Sequence, residues 1–99
     1  MFNYELTNKA IEDLNGIWNY TFDEWSEEQA DKYYFEILDC CQFIAENQNL
    51  GRNYTEIEDT LFGYIINKHI IFFQKISEFK ILVVRILHTS MDLKTRIKE

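Results

Sequence analysis

The strongest constraint on how this chain folds lies in its last third, where two apolar runs, Ile70 to Phe73 and Ile81 to Leu87, stand close together. Both are too short for helices of ordinary length. Both are also rich in β-branched and aromatic residues, so they read as neighbouring buried strands. The stretch Phe79 to Leu87 is apolar on both faces, as expected of a central strand, here one covered on one side by helices. It ends in Arg85-Ile86-Leu87-His88, and that polar ending to a core strand is where function is most readily written.

The upstream sequence supplies the cover. Phe2 to Leu6 alternates aromatic and polar residues and predicts a first strand. Thr7 can cap a helix whose apolar residues Ala10, Ile11, Leu14, Ile17, Trp18 and Phe22 recur at spacings of three and four. Gly16 inside that helix costs up to about 1 kcal/mol relative to alanine, which suggests that it allows close packing. Ser26-Glu27-Glu28-Gln29 has the form of a capping box and opens a second helix, with Ala30, Tyr33, Tyr34, Ile37, Leu38, Cys41, Ile44 and Ala45 on one face. Asn47 to Gly51 closes it, with Gly51 as the candidate left-handed turn residue. Further strands are expected over Arg52 to Ile57, Leu61 to Ile66 and His69 to Ile76, the last two joined by the tight turn Asn67-Lys68. Leu93 to Glu99 is a short basic tail of one or two helical turns. The expected fold is one α+β domain over residues 1–99: an N-terminal strand, an antiparallel helical hairpin on a mainly antiparallel sheet of about four strands, and a short C-terminal helix.

Composition excludes several function classes. With 46% hydrophobic and 16% aromatic residues, 99 residues can form a packed core without a structural metal or disulfides. No run approaches the roughly 18 apolar residues of a spanning helix, and Met1 to Glu5 lacks the features of a signal peptide, so the cytoplasm is the expected compartment. The only cysteines, Cys40 and Cys41, are adjacent and read as a reduced structural pair; no cofactor or metal site is expected. The net charge of −7 divides unevenly, with −11 over residues 1–60 and +4 over residues 61–99. An acidic half repels polyanions, so direct nucleic-acid binding is not expected, whereas an acidic partner segment fits the basic side.

The stretches DLNGIWNYTFDEWSEEQADKYY (Asp13 to Tyr34), NLGR (Asn49 to Arg52), NKHIIFF (Asn67 to Phe73) and RILHTSMDLKTRI (Arg85 to Ile97), in this order, resemble the ParE branch of the ParE/RelE toxin superfamily. The resemblance spans essentially the whole chain. It implies the toxin of a bacterial type II toxin-antitoxin operon that stalls DNA gyrase on cleaved DNA. It also implies a hetero-oligomer with a cognate ParD-like antitoxin carrying a ribbon-helix-helix DNA-binding part. A ribosome-dependent mRNA endonuclease of the RelE-like branch is the alternative, and a degenerate, non-toxic antitoxin-binding member is a third. Three positions depart from the common pattern: Gln48 or Asn49 stands where many relatives have proline, Phe62 and Ile65 where many have a basic residue, and Phe73 where tyrosine is common.

His69, His88 and Arg85 are the residues an RNA-cleaving site would draw on, since that reaction needs a base, an acid and a cation at the phosphate. Equally, both histidines can serve backbone hydrogen bonds at strand ends. Arg85, inside an apolar strand, must be paired, either internally with Asp92 or Glu56 or with a carboxylate of another chain. Trp18, Tyr20 and Trp25 gather near the end of the first helix, as core or as an antitoxin-docking groove. The expected target- or antitoxin-binding residues are Trp18, Tyr20, Arg52, Lys68, His69, Arg85, His88, Met91, Asp92, Lys94 and Arg96, and no catalytic residue is assigned.

Overall fold

The computed structural model describes residues Met1–Glu99, and its elements follow one another as β1 (Asn3–Leu6), α1 (Asn8–Glu24), α2 (Glu27–Glu46), β2 (Arg52–Asn53), β3 (Phe62–Ile66), β4 (His69–Ser77), β5 (Lys80–His88) and α3 (Leu93–Ile97). Both long helices begin where their caps direct. The Thr7 hydroxyl accepts from the Ala10 amide and the Ser26 hydroxyl from the Gln29 amide, so each satisfies a donor that has no partner within its helix.

The sheet has five strands rather than four, in the order β1-β5-β4-β3-β2. β1 runs parallel to β5, and the other pairings are antiparallel. The tight turn joins β3 to β4 at Asn67-Lys68, where Asn67 alone takes positive φ (53°), a conformation asparagine tolerates better than most residues.

Alternation along the strands divides the core between two faces. Ala10 and Leu14 of α1 and Ile37, Cys41 and Ile44 of α2 pack on Ile71, Phe73, Ile81, Val83 and Ile86. On the opposite face Tyr54, Leu61, Ile70, Phe72 and Leu87 form a second cluster, closed by Ile57 and by Leu93 and Ile97. The helical hairpin covers one face, as expected, and the other face is covered as well, so Ile70–Phe73 are buried at four consecutive positions.

The second cover comes from residues expected to form a strand. Only Arg52–Asn53 pair with β3. Beyond them the Asn53 side chain accepts from the Thr55 amide (2.8 Å) and the Tyr54 amide donates to the Leu61 carbonyl (2.9 Å), which curls residues 54–61 over the sheet. Gly51 is not a left-handed residue; its φ of −71° suits any side chain. The constraint there is space, because a β-carbon would meet the Phe73 ring at 2.5 Å. Gly16 corrects the other glycine expectation: nothing lies within 4 Å of its missing β-carbon, so it packs against no neighbour. Cys40 and Cys41 are free thiols, and burial pushes that of Cys41 up to about 12. No helix is long and apolar enough to cross a membrane.

Candidate functional site

β5 has a partner strand on its outer edge only as far as Val83, because β1 ends at Leu6 and the chain turns into α1. The groups of β5 beyond that point need other partners. Thr7 donates its amide to the Val83 carbonyl (3.0 Å) and its hydroxyl to the Val84 carbonyl (2.8 Å), and Asp13 accepts from the Ile86 amide (3.0 Å). The same Asp13 carboxylate receives Arg85 through Nε (2.7 Å) and Nη2 (2.9 Å), a two-point ion pair. Nη1 of Arg85 donates to the Arg96 carbonyl on α3 and faces Glu99 at 3.6 Å.

Arg85 is therefore an internal tie between α1, β5 and α3. Its side chain is 10% exposed and that of Asp13 14%; the Asp13 contact raises the guanidinium pKa further. Neither carboxylate named from the sequence is its partner. Asp92 caps α3 through the Thr95 amide and hydroxyl, whose hydrogen bonds hold its carboxyl below the usual range, and Glu56 pairs with Arg52 at 3.0 Å. The irregularity that sets Phe72 opposite Arg85 but Phe73 opposite Val83 leaves Val84 as an extra residue in β5 just before the tie.

Next to this tie opens a groove of about 1240 Å³, with one wall from α1 and α2 and a floor at the ends of β4 and β5. Gly16 leaves the α1 wall bare. Tyr20 and Trp25 stand on the rim at 66% and 77% exposure, which removes them from the core to which their spacing could equally have assigned them. Lys68, His69, His88 and Met91 reach the groove from the floor.

The two histidines face each other across β4 and β5, with ring centroids 5.2 Å apart. His69 meets the Tyr33 hydroxyl at 2.7 Å through Nδ1; burial, and then the neighbouring His88, push it down to about 4, so it is uncharged at neutral pH. Nδ1 of His88 accepts from the Ser90 amide (3.0 Å), which places the proton of the neutral ring on Nε2. No set of three or more His, Cys, Asp or Glu side chains converges on one point.

A family model described as the ParE toxin of type II toxin-antitoxin system, parDE, matches residues 4–93. The chain belongs to the ParE toxin family. It is similar to Toxin ParE1 of Mycobacterium tuberculosis, at 33% identity over 91% of this chain and 92% of the relative. It is also similar to Toxin ParE of Escherichia coli, at 31% identity over 100% of this chain and 96% of that one. Among solved structures, the chromosomal ParDE TA system from P. aeruginosa contains a chain of the same fold, with a TM-score of 0.76 at 18% identity, covering 91% of this chain and 98% of that one.

The span matched to the ParE family includes the whole groove and leaves Lys94 and Arg96 outside it. Of the residues named from the sequence, Tyr20, Lys68, His69, His88 and Met91 come together in the groove. The others do not. Trp18 stacks on Phe22 elsewhere on α1 and donates to Asp31 (2.9 Å); Arg52 lies over the Tyr54 ring; Asp92, Lys94 and Arg96 belong to the α3 region. Sequence reasoning missed Asp13, Gly16 and Tyr33. Of these only Gly16 carried a signal, an unexplained glycine in a helix, and its meaning was the reverse of close packing.

Proposed function

We propose that this protein is the toxin of a type II toxin-antitoxin pair, that a cognate antitoxin neutralises it by seating a segment in the groove, and that the freed toxin inhibits DNA gyrase by binding. The antitoxin would be ParD-like, with a ribbon-helix-helix DNA-binding part, and the inactive state a hetero-oligomer. The compartment is the cytoplasm, where gyrase acts.

One observation carries the non-catalytic reading: the strand-borne cation at the site is already committed. Arg85 is held by Asp13 and α3, so it cannot follow a phosphate through a transition state without abandoning its half-buried carboxylate partner. His69 is uncharged at neutral pH and can act as a base but not as the general acid. The aromatic rim and the bare Gly16 wall suit a docked protein segment, since Tyr and Trp anchor interfaces.

The adjacency of His69 and His88 beside Lys68 favours the second reading, a ribosome-dependent mRNA endonuclease. Purified toxin added to gyrase and supercoiled plasmid decides between them. The proposal expects cleaved DNA trapped on gyrase, relieved by the antitoxin. Background cleavage, with translation halted and mRNA cut, would overturn it; normal growth on expression, with neither effect, would mark a non-toxic member that only binds its antitoxin.

A further inference from the structure

A second set of aromatic residues is exposed away from the groove. Ile11, Trp18 and Phe22 recur at i, i+7 and i+11 on α1, which places them on one narrow stripe. At about 100° per residue this stripe lies nearly opposite the one that carries Gly16 and Tyr20 into the groove. Trp18 stacks on Phe22 with centroids 5.2 Å apart, and Ile11 and Phe22 are 42% and 46% exposed. The stripe continues onto α2, because the Trp18 indole donates to Asp31, and Phe35 one turn further along is 59% exposed. Glu28, Asp31, Phe35 and Asp39 share one side of α2.

The charge along this seam is predominantly negative. The only cations on the two helices are Lys9 and Lys32. Lys32 lines the groove, and Lys9 falls on the same α1 stripe as Asp13, Gly16 and Tyr20. The outer seam is thus an aromatic centre bordered on α2 by Glu28, Asp31 and Asp39, with Lys32, between Glu28 and Phe35 on the edge shared with the groove, as its one cation. A second copy of the chain would bring like charges together, and nucleic acid or an anionic membrane would be repelled. A cationic protein segment meets both requirements, apolar anchors for the aromatic centre and ammonium or guanidinium groups for the rim.

We propose that the outer seam of the helical hairpin is a second protein-docking surface, separate from the groove, for a partner segment that carries lysine or arginine around an apolar stripe. Such a surface would leave the groove free while it is occupied, so two partners could be held at once. Whether or not gyrase is the target, the seam stands on its own observations.

The test uses the full chain and two synthetic amphipathic helical peptides with the same leucine stripe, one bordered by lysine and the other by glutamate. Binding is followed by fluorescence anisotropy and by the Trp18 indole resonance in a ¹⁵N-labelled sample. The lysine peptide should bind and move that resonance, the glutamate peptide should not bind, and added salt should weaken the interaction. Phe22→Ser with Phe35→Ser should weaken binding about tenfold or more, whereas Tyr20→Ser in the groove should leave it unchanged. Both phenylalanines are exposed, and circular dichroism checks that the double variant stays folded. The proposal is overturned if the lysine peptide fails to bind, if it binds the folded double variant as well as wild type, or if Tyr20→Ser is the change that abolishes binding.

Discussion

Replacing Asp13 with alanine should be among the most damaging single changes available in this chain. The substitution strips the two-point partner from a guanidinium that is 10% exposed and leaves the Ile86 amide without its acceptor. Breaking a buried ion pair by removing one partner costs about 3–5 kcal/mol, against a total stability of about 5–15 kcal/mol for a domain of this kind. Arg85 keeps the Arg96 carbonyl and Glu99, which puts the expected loss at the lower end, about 3 kcal/mol. At about 4–8 °C per kcal/mol, the melting temperature should fall by at least about 12 °C. Urea unfolding followed by circular dichroism measures this directly, and the denaturant slope should be unchanged. Asp13→Ala combined with Arg85→Met should recover much of the loss, because the stranded charge is removed together with its partner. A loss below about 1 kcal/mol for Asp13→Ala, or simple additivity in the double variant, would refute the reasoning that this pair ties α1 to β5.

Gly51→Ala should destabilise by about 1–3 kcal/mol despite its permissive φ, because the new methyl meets the fully buried Phe73 ring; an unchanged melting temperature would contradict this. Gly16→Ala should stabilise the free protein by up to about 1 kcal/mol, since the helix gains propensity and nothing obstructs the methyl. His69 in the folded state sits near 4, below its unfolded value of 6.5, so the unfolded chain binds the proton more readily. Its contribution is complete above pH 6.5 and is lost as pH falls from there through about 4; denaturant titrations across this window should show the decline, flattened in His69→Gln.

The parts of the fold that were legible in the sequence are those whose signal is local. The apolar runs of β4 and β5, the periodicity of both helices, and the serine and threonine caps depend only on neighbours within a few residues. The segment after Gly51 misled because its apolar residues Tyr54 and Ile57 fit a strand equally well, and only the Asn53 turn and the uncovered second sheet face direct it elsewhere. The Asp13–Arg85 pair joins residues 72 positions apart, and no spacing rule selects Asp13 over Asp92 or Glu56. Tyr20 and Trp25 were ambiguous for a physical reason: an aromatic stripe has the same period whether it meets its own core or a partner. The groove itself forms where β1 stops short of the end of β5, which depends on the register of a parallel pairing rather than on any motif.

The groove as the antitoxin seat is tested most directly by Gly16→Leu. The side chain enters space that the folded protein leaves open, so the free toxin should remain folded, while a segment seated against α1 should be displaced. Calorimetric titration of a cognate antitoxin into wild type and variant gives the answer. Affinity should fall about tenfold or more, with the melting temperature of the free toxin maintained. Unchanged affinity in a properly folded variant would place the antitoxin on another surface and contradict the groove as its seat.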